Sequence, residues 1–87
     1  MVTGDELKLS IRLFASLKER VGASQISIEI NQPATVSDLL DEVTRLYPGI
    51  QPYLKTTLIS VNREFANRSQ LISQGDEIAL FPPVSGG

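Results

Sequence analysis

Apolar and polar residues alternate from Leu7 to Phe14, with Leu7, Leu9, Ile11 and Leu13 on one side and Lys8, Ser10, Arg12 and Phe14 on the other. That period of two predicts a half-buried strand. Ala15 to Val21 carries Leu17 and Val21 at helical spacing and stops at Gly22, which predicts a short helical turn or a wide loop. The period of two returns at Ile26, Ile28 and Ile30, and Asn31-Gln32-Pro33 ends this second strand. Together the two segments predict an antiparallel pair joined by a wide loop.

The clearest helix follows. Thr35 is placed to cap the amides of Ser37 or Asp38, and Asp38 puts negative charge in the first turn. Val36, Leu39, Leu40, Val43, Leu46 and Tyr47 fall on one stripe, expected to be core, while Asp41, Glu42 and Arg45 face water. Pro48-Gly49 ends the helix, and a loop is expected through Pro52 and Tyr53. Leu58 to Val61 reads as a third strand, with a turn near Asn62-Arg63 and a short return strand around Phe65. Leu71 and Ile72 lead to a turn at Gly75-Asp76, and Glu77 to Phe81 reads as the last strand, with Ile78 and Leu80 inward.

A helix crossing one face of a sheet whose later strands return to it defines a two-layer α+β domain. A right-handed crossover after the second strand lets the last strand pair in parallel with the first, in the middle of the sheet. The expected fold is a ubiquitin-like β-grasp, a mixed sheet with one main helix packed on one face. Residues 7–81 would form the domain, 1–6 an N-terminal extension and 82–87 an extended tail.

Composition narrows the chemistry. The chain has 87 residues, too few to house a large internal cleft beside a core. Lys and Arg number 8 against 10 Asp and Glu, and the cations are scattered among acids rather than set in a basic stripe. Nucleic acid is therefore not an expected partner. Cysteine and histidine are both absent, which removes the usual thiolate nucleophile, proton shuttle and commonest metal ligands. No metal site and no conventional enzyme activity are expected. The first residues carry neither a basic region nor an apolar run, and no apolar stretch approaches the ~20 residues of a membrane span. The expectation is a soluble cytoplasmic protein without a membrane partner.

The sequence closes on Phe81-Pro82-Pro83-Val84-Ser85-Gly86-Gly87. Without a Cβ, Gly86-Gly87 can lie extended in a channel too narrow for side chains and present a carboxylate at its far end. Pro82 and Pro83 fix two φ angles and favour an extended exit. A carboxylate is a poor electrophile at neutral pH until it carries a better leaving group. The chain has no glycine-rich phosphate loop and no cysteine, so it offers neither a nucleotide pocket nor a thiol of its own.

Leu13-Phe14-Ala15 with Leu17-Lys18-Glu19-Arg20-Val21-Gly22, then Val61-Asn62, then Gly75 through Phe81 and the whole ending to Gly87, resembles the family of molybdopterin synthase small subunits. The resemblance runs from about Leu7 to Gly87. It implies a sulfur carrier of molybdenum cofactor biosynthesis, itself non-catalytic and active only with the large synthase subunit. Gly87 would be the acyl-adenylate and thiocarboxylate position and Gly86 its slim link. A ubiquitin-activating-like adenylyltransferase would spend ATP on Gly87, an indirect sulfur donor would follow, and cyclic pyranopterin monophosphate would receive the sulfur. No cofactor would be bound by this chain itself.

Phe14 and Phe81 have the wrong parity for the apolar faces of their strands. If those strands are parallel neighbours, both rings emerge near one sheet end, beside the root of the tail. Phe65 is a third candidate across the hairpin, its parity left open by the sequence. With Pro82, Pro83, Val84 and Ser85 they form the expected partner-binding set, because exposed apolar patches often mark partner surfaces. In the resembling family this face docks both the activating enzyme and the large subunit. The plainer alternative is that Phe14 and Phe81 only cover the second sheet face or tuck under a loop. The functional alternatives are a sulfur carrier for thiamine or transfer-RNA thiolation, a ubiquitin-like protein modifier, and a binding module with an inert tail.

Overall fold

The structure is a computed structural model and describes residues 6–83. Strand β1, Glu6–Leu13, starts one residue ahead of the expected Leu7 and buries every second side chain. It pairs antiparallel with β2, Gln25–Asn31, so that Leu7 faces Ile30, Leu9 faces Ile28 and Ile11 faces Ile26. These cross-strand aliphatic pairs weld the two strands on one face only. Between them lies helix α1, Ala15–Val21, closed by Gly22 at φ 88° with its N–H donated to the Lys18 carbonyl at 2.8 Å.

Strand β3, Ala34–Thr35, runs directly into helix α2, Val36–Leu46. Thr35 Oγ1 accepts the Asp38 N–H at 3.2 Å, and Asp38 Oδ2 accepts the Thr35 N–H at 2.9 Å. This reciprocal cap satisfies two donors that the first turn would otherwise leave open. Val36, Leu39, Leu40 and Val43 are buried, but Leu46 is 44% exposed, which corrects the expected stripe. At ~100° per residue Leu46 lies about 70° from the centre of the four buried positions, beyond the edge of the stripe, whereas Tyr47 lies about 30° from it.

A 3₁₀ segment over Pro48–Thr56 replaces the expected loop and buries Ile50. Its two prolines made it read as irregular, yet the structure winds it against the core with Tyr53 and Leu54 half-buried. Arg20 lies over the Tyr53 ring at 5.3 Å, and Arg68 donates to the Leu54 carbonyl.

The remaining strands are β4, Leu58–Val61, β5, Glu64–Phe65, β6, Leu71–Ile72, and β7, Ile78–Phe81. The main sheet has the order β2-β1-β7-β4-β5, and β3 pairs with β6 in a separate two-stranded ladder. β7 runs parallel to β1, with Ile11 opposite Ile78 and Leu13 opposite Leu80, and antiparallel to β4. The architecture is the α+β ubiquitin-like β-grasp, with the helices on one face of a mixed sheet. Where β7 stops short of the start of β1, the Gln74 side chain takes its place. Lys8 N–H donates to Gln74 Oε1 at 2.9 Å, and Gln74 Nε2 donates to the Lys8 carbonyl at 3.1 Å.

Candidate functional site

The face of the sheet turned away from α2 carries the even-numbered residues of β1, then Ala79 and Phe81 of β7, and Leu58 and Ser60 of β4. Most are small or polar, so the face is wetted. At one end of the sheet it becomes aromatic.

Phe14 is fixed there by the junction of a strand and a helix. Its backbone is extended, and its carbonyl accepts the N–H groups of Leu17 at 3.1 Å and Lys18 at 3.4 Å, which starts α1. The chain bends at once afterwards through Ala15, whose φ of 51° is left-handed. An alanine in that region costs about 1–2 kcal/mol, so neighbouring structure holds the bend.

Phe81 is the last residue of β7 and lies opposite Leu58 of β4. Its ring stacks on Phe14, with centroids 4.7 Å apart and planes 8° from parallel. Phe65 meets Phe81 edge-on at 6.3 Å and 72°. Such ring pairs are worth about 0.5–1.5 kcal/mol beyond their area.

Phe65 reaches this position through a two-residue hairpin turn in which Asn62 and Arg63 both have positive φ, 54° and 72°. Asparagine tolerates that conformation readily, and here it is also braced. Asn62 N–H donates to the Glu77 carbonyl at 2.7 Å, Glu77 N–H donates to Asn62 Oδ1 at 2.9 Å, and Asn62 Nδ2 donates to Asp76 Oδ1 at 3.1 Å. Asp76 in turn accepts the Ser73 N–H at 2.7 Å. The turn before β7 and the β4–β5 hairpin are thus tied together.

The rings wall a shallow concavity of about 550 Å³ floored by Ser10, Ser60 and Ala79. Phe14 is 39% exposed, Leu58 40% and Phe65 75%, while Phe81 is half-buried. These residues leave a contiguous apolar patch in water at one end of the sheet, a feature that often marks a partner surface. Among the described residues there is no cluster of side chains that could hold a metal ion, and no helix is long and apolar enough to cross a membrane. A hydrogen bond from Arg45 holds the Glu42 carboxyl below its ordinary range, but that pair sits on α2, on the other side of the sheet.

Of the residues singled out from sequence, Phe14, Phe65 and Phe81 come together, and Pro82 and Pro83 continue from Phe81 as half-buried and exposed residues respectively. Val84, Ser85, Gly86 and Gly87 lie outside the described residues. Leu58 was not singled out. Its exposure follows from its register opposite Phe81, which local periodicity does not reveal.

Residues 11–87 match the model of the ThiS family. The chain is 39% identical over 83 residues to a molybdopterin synthase sulfur carrier subunit of Dictyostelium discoideum, an alignment spanning 92% of this chain and 96% of that protein. It is 34% identical over 85 residues to small archaeal modifier protein 1 of Haloferax volcanii, spanning 87% of this chain and 97% of that one. The crystal structure of SAMP1 from Haloferax volcanii superposes with a TM-score of 0.84 at 32% identity, covering 92% of this chain and 99% of that chain.

Proposed function

We propose, from the premise that this chain belongs to the ThiS family, that it is a sulfur carrier of molybdopterin biosynthesis whose terminal glycine carries the sulfur. The observation that supports this most directly is the likeness to a molybdopterin synthase sulfur carrier subunit over nearly the whole length of both chains. The chemistry agrees with it. A carrier needs no acid, base or metal of its own, and with neither cysteine nor histidine the chain has no thiol or imidazole to supply.

In this reading a partner adenylyltransferase activates the Gly87 carboxylate with ATP, releasing pyrophosphate. A sulfur nucleophile then displaces AMP and leaves a thiocarboxylate. The ring cluster docks on the large synthase subunit, and Pro82-Pro83 direct Val84 to Gly87 toward that subunit's reaction site, where cyclic pyranopterin monophosphate accepts the sulfur. Restricting two φ angles reduces an ordering cost of about 1–2 kcal/mol per residue on insertion.

The likeness to a small archaeal modifier protein favours a second reading, in which Gly87 is joined to lysines of other proteins. Mass spectrometry separates the two. After incubation with the activating enzyme, ATP and a sulfur donor, the carrier reading predicts a gain of about 16 Da at the C-terminus, sulfur for oxygen. Unmodified protein or stable lysine conjugates alone would overturn it.

A further inference from the structure

Two cations of the outer sheet face and its turn, Lys8 and Arg63, have carboxylate partners, whereas Arg12, beside the rings, has none among the described residues. Lys8 Nζ lies 4.0 Å from Glu29, and Arg63 Nε lies 3.4 Å from Glu77. Arg12 has Ser10 and Phe14 as its neighbours along the same face of β1, and Gln25 and Ala79 opposite it on the adjacent strands. Among the described residues no carboxylate comes within ion-pairing distance of it. Glu77 borders the same concavity but is engaged by Arg63. Arg12 also lines a second hollow, of about 370 Å³, together with Phe14, Gln25 and Lys18, a cation that likewise has no ion pair among the described residues.

We propose that Arg12 is a specificity residue of this docking face and engages a carboxylate on the partner surface that seats over the phenylalanine cluster. The inference rests on the docking reading above. In the free protein an exposed guanidinium is well solvated. A partner that covers Phe14, Phe65 and Phe81 strips water from Arg12 as well, because Arg12 and the rings share one concavity. An unpaired guanidinium at a closing interface is costly, whereas its planar fork meets a carboxylate through two parallel hydrogen bonds. The whole chain carries a formal charge of -2, so general attraction to an acidic partner is not available. The local cation therefore selects for an acid at one place, and complementary charge of this kind acts on association rate and partner choice.

The test is association with the large synthase subunit, followed at about 0.05 M and about 0.5 M salt, for the parent chain, Arg12→Glu and Arg12→Lys. Arg12→Glu should bind about tenfold more weakly at low salt, through a slower association rate, and the gap should narrow at high salt. Arg12→Lys should keep most of the affinity, and neither change should move the melting temperature. Parent-like binding by Arg12→Glu at both salts overturns the proposal, as does a salt-independent loss shared equally by Arg12→Lys. If the parent chain itself does not associate with the large subunit, the functional reading falls and this inference with it.

Discussion

Leu13 and Phe14 are neighbours in the chain, as are Leu80 and Phe81, yet each pair is divided by the sheet. Leu13 and Leu80 point into the core and are 2% and 0% exposed. Phe14 and Phe81 point the other way and stack on each other on the outer face. Both contacts come from one register, since pairing Leu13 with Leu80 in parallel strands carries the next residues into apposition on the opposite face. The inner region is aliphatic, β-branched or leucine-rich, and closed to water. The outer region is aromatic at one end and polar elsewhere. Packing energy for folding and the outer apolar patch proposed for docking therefore come from the same two strands, separated only by parity.

The comparison breaks most visibly on the inner side. Leu13→Ala removes a buried side chain between β1 and the helices and should cost about 2–5 kcal/mol of unfolding free energy by denaturant titration. A cost below about 1 kcal/mol would mean that the inner face is not the seat of stability. On the outer side, Phe65→Ala removes a ring that is 75% exposed. It should leave stability within about 0.5 kcal/mol of the parent and weaken association with the large subunit by about fivefold. Unchanged binding would take Phe65 out of the docking surface.

The smallest effect is expected far from both faces of the comparison. Arg45 donates to Glu42 at 3.0 and 2.5 Å, and this bond lowers the Glu42 carboxyl from its ordinary value. A carboxyl lowered on folding adds stability above its unfolded value and loses that contribution as pH falls through the folded one. The pair is solvated, so the contribution is slight. Arg45→Ala should raise the Glu42 titration midpoint seen by NMR and leave partner binding unchanged. A midpoint that stays put would show that the bond does not persist in solution.

Much of this arrangement is legible in the sequence, for a physical reason. Strand alternation over eight residues fixes the inward set of β1, and the odd parity of Phe14 and Phe81 follows from the same count. Phe65 could not be assigned because β5 is two residues long, and two residues define no period. The ladder of β3 with β6 was missed for the same reason. The 3₁₀ segment was hidden by Pro48 and Pro52, which mark loops as readily as tight helices. Gln74 completing the edge of β1 depends on a contact between residues 66 apart in sequence, which no local pattern encodes. The proposed reactive end of the candidate site, Gly86-Gly87, rests on the sequence and on likeness to relatives.

The division of labour between the two faces is tested most directly at positions 80 and 81. Stability and affinity for the large subunit should be measured side by side for Leu80→Ala and Phe81→Ala. Leu80→Ala should lose about 2–5 kcal/mol of stability and, where still folded, bind nearly as the parent does. Phe81→Ala should remain cooperatively folded, at a cost of about 1 kcal/mol from its ring contacts, yet lose about 2 kcal/mol or more of binding, roughly thirtyfold. If Phe81→Ala instead unfolds like Leu80→Ala and retains affinity when folded, the aromatic face belongs to the core and the docking account is wrong.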